Sequence, residues 1–154
     1  MKPGLIIPLL LLFLSLQAAF AQADEFADKR AEADQLYSEQ NFKKAYRLYF
    51  KLAKTGDHHA QERVSRMYAN GEGQSVDIDK AYAWAVVAEE GGVDVMRSSD
   101  ELLELTDNQR SAKKTALKIQ NKYGQQALHE KAIQKAERAA ARQSGASMGS
   151  NLSR

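Results

Sequence analysis

The residues best suited to metal binding or catalysis are concentrated around position 58. His58 and His59 are adjacent, and Glu62 follows four residues after His58, so a helix would place His58 and Glu62 on one face. This pair could hold a metal ion weakly, but protein metal sites normally have three or four ligands. The alternative is a solvated turn in which Asp57 caps the helix that follows. We favour the turn and expect no metal, no cofactor and no catalytic residue.

Two other short patterns resemble fragments of active sites. Adjacent acids such as Glu89 and Glu90 point about 100° apart on a helix, so they cannot flank one bond as a hydrolase requires. Gly71-x-Gly73 is too short for a nucleotide-binding loop and fits a turn. The chain has no cysteine, which excludes disulfides, thiolate ligands, cysteine nucleophiles and lipoprotein acylation. The sequence therefore predicts a protein without enzymatic activity.

The first 23 residues have the pattern of a secretory signal peptide. Lys2 supplies a positive start, and residues 5–14 form an apolar run. Small residues at A-x-A spacing predict cleavage near Ala21 or Ala23. The apolar run is about ten residues long, whereas a helix that spans a bilayer takes roughly 20. We therefore expect no transmembrane anchor, and a location in the bacterial periplasm or outside the cell.

The elements that must position any functional residue are helices. After the signal peptide the apolar residues recur at helical spacing, and no segment alternates like a strand. Thr106, with Gln109 three residues later, has the pattern of a capping box that would begin the sixth helix. The helices are predicted at residues 24–39, 42–55, 58–69, 77–90, 93–105, 107–123 and 125–142.

Part of this helical region is duplicated. Lys44-Ala45-Tyr46 returns as Lys80-Ala81-Tyr82 after 36 residues, and Ala53-x-x-Gly56 returns as Ala88-x-x-Gly91 after 35. Units of this length made of two helices stack on their neighbours, because neither helix can bury its apolar face alone. Small residues let the helix axes approach, and tyrosine or methionine fills the gaps. The residues expected to pack in this way are Ala45, Tyr46, Ala60, Met67, Tyr68, Gly71, Gly73, Ala81, Trp84 and Ala88.

Three motifs follow one another between residues 60 and 91. They are Ala60-x-x-x-Val64-Ser65-x-Met67-Tyr68, Asn70-Gly71-Glu72-Gly73 and Asp77-x-x-Lys80-Ala81-x-x-Trp84-x-x-x-Ala88-x-x-Gly91. Together they resemble the first helix, turn and second helix of a Sel-one-like repeat, a relative of the tetratricopeptide repeat. Ser65 stands where that family usually has glycine. The resemblance implies an all-α fold, a short α/α helical-repeat solenoid with C-terminal capping helices, whose inner face binds a partner.

Charge is divided unevenly along the chain. Residues 24–100 hold 11 basic and 15 acidic residues, a net charge of −4, whereas residues 101–154 hold 10 basic and 5 acidic, a net charge of +5. Cations three or four residues apart form a stripe on a helix. The stripe proposed to contact an anionic partner is Lys131, Lys135, Arg138 and Arg142. The alternative is a solvated helix that only aids solubility. No aromatic residues are interleaved for base stacking, so no nucleic-acid partner is expected.

These observations predict four segments: a signal peptide at 1–23, a repeat domain at 24–123, a basic alanine-rich helix at 124–143 and a flexible tail at 144–154. We expect an exported, non-enzymatic adaptor or scaffold that binds another envelope or secreted protein. The alternative is a binder of an anionic envelope component (a lipid headgroup, a polysaccharide or an acidic protein) through the basic C-terminal helices. Two clear repeat units are fewer than the about three that a solenoid usually needs, so stability would also depend on the C-terminal helices or on weak self-association.

Overall fold

The computed structural model describes residues 26–149, with side chains from 26 to 142, and within those residues every regular element is a helix. The helices are α1 (residues 26–38), α2 (Phe42–Ala53), α3 (His58–Asn70), α4 (Ile78–Glu90), α5 (Ser99–Glu104), α6 (Gln109–Tyr123) and α7 (Gln125–Gly149). The prediction of an all-α fold is confirmed for this part of the chain. The predicted signal peptide at 1–23 and residues 150–154 of the predicted tail lie outside the described residues.

Aspartate caps begin the two central helices. Asp57 accepts a hydrogen bond from the backbone N–H of Ala60 at 2.9 Å, and Asp77 accepts one from Lys80 at 2.9 Å. Each carboxylate satisfies an amide that has no partner within the helix. The cap predicted at Asp57 is therefore confirmed.

The capping box predicted for α6 is wrong. Asn108 caps this helix by accepting a hydrogen bond from the backbone N–H of Ser111 at 3.1 Å. The hydroxyl of Thr106 donates instead to the carbonyl of Leu103 at 2.9 Å, at the end of α5. Two cap-forming residues stand close together here, and the carboxamide of Asn108 is the one adjacent to the first helical residue.

The fifth helix is shorter than predicted. Residues 93–98 are irregular, and α5 begins after Ser98, whose side chain forms a capping box with Glu101. The chain reverses before this segment at Gly92, which has a φ of +74°. That left-handed conformation suits glycine and ends the helical path after α4. Residues 94–96 of this irregular segment border a groove between α1 and α3.

The helices form a packed series in which α6, not the short α5, covers the far side of α4. α2 packs on α3, α4 lies against both α3 and α6, and α7 packs on α6. An aromatic row crosses these layers: the Phe50 and Trp84 rings lie 5.7 Å apart edge to face, and Trp84 stacks on Tyr123 at 5.6 Å. Aromatic pairs of this geometry add to the apolar area that they bury. The non-glycine residues of the predicted packing set are all buried: Ala45, Tyr46, Ala60, Met67, Tyr68, Ala81, Trp84 and Ala88.

Two buried polar side chains join the helices. Ser65 donates a hydrogen bond at 2.8 Å to the carbonyl of Ala81 and so bridges α3 and α4. The amide of Gln61 donates to the carbonyl of Ala53 at 3.0 Å, which ties the end of α2 to α3. Buried polar groups are costly without partners, and both of these are satisfied.

The turn between α3 and α4 lies against the first helical hairpin, which α1 and α2 form, as α3 and α4 form the second. Gly73 has a φ of +73°, and a Cβ placed on it would lie 2.4 Å from the carbonyl oxygen of Phe42. The hydroxyl of Tyr37 donates to the carboxylate of Glu72 in the same turn at 2.7 Å. The two helical hairpins therefore meet through backbone and side-chain contacts at this end, and this brings α1 and α3 side by side.

Candidate binding groove

A groove of about 710 Å³ lies between α1 and α3, and residues 94–96 border it. On α1 the lining residues recur every three or four positions, and on α3 they do the same, so each helix contributes one stripe. Alanines on α1 keep the groove open, because their side chains are small. The residues that line it are Ala27, Arg30, Ala31, Asp34, Tyr49, His59, Ala60, Glu62, Arg63, Arg66, Asp94, Val95 and Met96.

Two side chains of the groove contact the carboxylate of Asp34. Tyr49 donates a hydrogen bond to the carboxylate of Asp34 at 2.6 Å, and Arg63 approaches the same oxygen at 3.6 Å. Burial, followed by the hydrogen bond to Asp34, raises the pKa of Tyr49 far above its usual value. The phenol therefore stays protonated and acts as a hydrogen-bond donor that positions the carboxylate.

A second ion pair fixes the edge of the groove. Arg30 of α1 lies 3.3 Å from the carboxylate of Asp57, the residue that caps α3. The carboxylate is largely buried, with a side-chain exposure of 5%, so this pair is screened by solvent less than a surface pair would be. Arg30 and Asp57 thereby tie α1 to the start of α3.

Glu62 connects the groove to the irregular segment before α5. Its side chain is 14% exposed, and this burial raises the pKa of the carboxyl above its usual value. The positive charge of Arg66, a hydrogen bond from the backbone of Met96 and the charge of His59 act in the opposite direction. Residues 94–96 lie beside α3 at the edge of the groove, and the Met96 side chain is 67% exposed.

Arg66 differs from the other two arginines of the groove. Its guanidinium lies over the ring of Tyr37, with Cζ 5.3 Å from the ring centroid. Its Nε is buried and has no hydrogen-bond partner among the described residues. Arg30 and Arg63 pair with aspartates, whereas Arg66 lies over an aromatic ring and acts on the charge of Glu62.

The structure separates the two residues of the weak metal site considered from the sequence. The Nδ1 atom of His58 pairs with the side-chain oxygen of Gln61 at 2.8 Å, and its ring packs against Gly91. Glu62 instead lies in the groove. Within the described residues no group of three or more histidine, aspartate or glutamate side chains is arranged to bind a metal ion.

The predicted basic stripe on α7 lies away from the groove. Every side chain from residue 129 to 142 is exposed, including all four cations of the stripe. Lys131 also donates a hydrogen bond to the backbone carbonyl of Lys122 at 2.5 Å, where α6 ends. α7 continues to Gly149, beyond the end predicted at residue 142. The mobility predicted for residues 144–154 stays a prediction.

Sequence reasoning missed the groove, although a local signal for it exists. Arg30 and Asp34 are four residues apart on α1, and Glu62 and Arg66 are four residues apart on α3, so each pair shares a helix face. From the sequence alone these pairs look the same as ordinary solvent-exposed charges, because nothing in the sequence indicates that the two helix faces lie opposite each other. The packing of the two hairpins supplies that information.

Comparison with known proteins finds no matching family model, no matching curated protein and no matching solved structure. Among the helices that the structure describes, none combines the length and apolar character needed to cross a membrane. Residues 26–149 form an all-α structure with a groove of charged and apolar side chains between two of its helices.

Proposed function

We propose that this chain is an exported, non-enzymatic interaction module of the bacterial cell envelope. It holds a segment of another envelope or secreted protein in the groove between α1 and α3. The observation that carries the proposal is the groove itself, which falls in the size range of about 300–1,000 Å³ typical of binding sites. Its lining of both charge signs suits a peptide segment better than a purely apolar ligand.

The state of the groove's polar groups supports binding rather than reaction. Tyr49 and Arg63 are both engaged by Asp34, and Arg30 is engaged by Asp57. A nucleophile or general base needs a free, suitably ionised group, whereas the raised pKa of Tyr49 keeps that hydroxyl protonated. Groups held in this way provide a fixed surface for recognition.

The architecture that we infer is a short solenoid of Sel-one-like type. Ala45 and Ala81, which the duplication relates, are each the fourth residue of their helix, α2 and α4, and both are fully buried. Ala53 and Ala88 are related in the same way and are also fully buried. Export is inferred from the pattern of residues 1–23 alone.

The test is photo-crosslinking in cells that produce the protein. A photoreactive amino acid is placed at Met96 beside the groove and, as a control, at Lys43 on the exposed face of α2. We expect Met96 to capture a reproducible protein from the envelope fraction, Lys43 not to do so, and Arg63→Glu to abolish the capture. Capture that is equal at both positions, or unchanged by Arg63→Glu, would contradict the proposal.

The exposed stripe on α7 supports a second candidate, a binder of an anionic envelope component. Lys131, Lys135, Arg138 and Arg142 are all exposed, so they can contribute long-range attraction to an anionic surface. Changing all four to glutamine should abolish salt-dependent retention on an anionic matrix. The matched control changes four exposed cations of α2 to glutamine: Lys43, Lys44, Arg47 and Lys51. Equal loss in both variants would show that only net charge matters.

A further inference from the structure

The outer face of α6 has a charge pattern that the fold does not explain. α6 carries five cations and no acid in its 15 residues: Arg110, Lys113, Lys114, Lys118 and Lys122. All five are exposed. Arg110–Lys114, Lys114–Lys118 and Lys118–Lys122 are like-charged pairs four residues apart, and such pairs destabilise a helix.

The helix dipole accounts for only part of this pattern. A cation is favourable near the C-terminus of a helix, as Lys122 is, but unfavourable near the N-terminus. Arg110 and Lys113 lie in the first turns of α6, where the dipole opposes them. An apolar residue, Leu117, lies among these cations and is 58% exposed. Arg110, Lys113 and Lys114 precede Leu117 by seven, four and three residues, so all of them share its face of the helix.

A surface of opposite charge lies on the same chain, immediately before α6. Between residues 98 and 108 the chain has four acids and no cation: Asp100, Glu101, Glu104 and Asp107. Asp107 lines a depression of about 390 Å³, which Asp77 and Asp79 also line. Two apolar side chains on its wall are exposed, Val76 by 60% and Leu105 by 55%.

The geometry points to self-association in which the basic face of α6 docks on this acidic depression in a second copy of the chain. Leu117 would enter the depression between Val76 and Leu105, and the surrounding lysines would meet Asp107. Asp77 is already paired with Lys80 at 2.7 Å, and Asp79 accepts a hydrogen bond from Ser111 at 2.8 Å. The two surfaces have opposite charge, and both have an apolar centre. The two surfaces are different, so the contact is heterologous. A pair of chains therefore still has one free basic face and one free acidic depression, to which further chains can bind.

Sedimentation velocity of the chain without residues 1–23 tests this inference and is independent of the groove. We expect the average mass to rise with protein concentration at about 50 mM salt and to return to that of the monomer at about 500 mM, because exposed charges are screened. Lys114→Glu and Asp107→Lys should each give a monomer with an unchanged far-ultraviolet spectrum. The control Lys44→Glu, which reverses an exposed cation of α2, should associate like the wild type.

Two further experiments separate this contact from a general effect of charge. The double variant Lys114→Glu/Asp107→Lys should associate again, because the opposing charges are exchanged. An equimolar mixture of the two single variants should associate although neither does so alone, because the two unaltered surfaces are complementary and so are the two altered ones. A wild-type chain that stays monomeric at every concentration at low salt would overturn the inference. So would equal effects of Lys114→Glu and Lys44→Glu, or binding of the α6 face to anionic lipid vesicles without self-association.

Discussion

The groove and α7 use similar cations in different surroundings. In the groove Arg63 lies 3.6 Å from Asp34, and Arg30 pairs with a largely buried carboxylate at 3.3 Å. On α7 all the cations of the stripe are exposed to solvent. An exposed charge is screened within about 8–10 Å at physiological salt, so it attracts any anion with little selectivity. A cation that is held by side chains of neighbouring helices has one fixed position. Its selectivity for a binding partner therefore depends on where the fold places it and not on its charge alone.

The largest difference between the two regions should be in their contribution to stability. Trp84 is 1% exposed and contacts the rings of both Phe50 and Tyr123, so Trp84→Ala should lower the free energy of unfolding by about 3–5 kcal/mol. Ile133→Ala on α7, where the side chain is 46% exposed, should change it by less than about 0.5 kcal/mol. Urea unfolding measures both, and effects of similar size would show that α7 is part of the core.

The contact that brings α1 beside α3 should have the next largest effect. Gly73→Ala adds a Cβ against the carbonyl of Phe42 at a positive φ, so it should cost about 3 kcal/mol, of which roughly 1 reflects the left-handed backbone. Gly92→Ala is the matched control, because its φ is +74° and nothing lies within 4 Å of the added Cβ. It should cost only about 1 kcal/mol. Equal losses in urea unfolding would mean that the turn does not press on α2.

The hydrogen bond within the groove should have a smaller effect. Tyr49→Phe removes the donor to Asp34 and should lower the free energy of unfolding by about 1–2 kcal/mol. The control is Tyr82→Phe, because no hydrogen bond from the Tyr82 hydroxyl occurs in the described part of the chain. Its effect should be close to zero. If the two variants lose the same stability, the Tyr49–Asp34 bond is not a stabilising element of the groove.

The smallest expected effect is a gain in stability from Glu62→Gln at neutral pH. Burial raises the pKa of Glu62, so the folded chain binds this proton more tightly than the unfolded chain, and the ionised carboxylate lowers stability at pH 7. That cost is relieved as the pH falls through the folded pKa towards the ordinary value of 4.5. The difference in Tm between Glu62→Gln and wild type should therefore be positive at pH 7 and shrink on acidification. Glu39→Gln, at an exposed position, should show neither trend.

The helices could be predicted because their signals are local. Apolar spacing marks α2, α3 and α4, and Asp57 caps α3 as the sequence indicates. The predicted cap of α6 was wrong because Thr106 and Asn108 can both cap a helix, and the local sequence pattern does not decide between them. The basic stripe of α7 is also a local pattern. The groove is not, since its charges come from helices about 30 residues apart and become a site only through packing.

Binding by the captured protein tests the central claim most directly. After purification of the protein that is crosslinked at Met96, its Kd is measured for the wild type, for Arg63→Glu and for the variant with all four α7 cations changed to glutamine. We predict that Arg63→Glu weakens binding at least about tenfold, which is about 1.4 kcal/mol, while the α7 variant stays within about twofold of the wild type. The reverse order would contradict the account, because binding would then depend on the exposed charge of α7 and not on the groove.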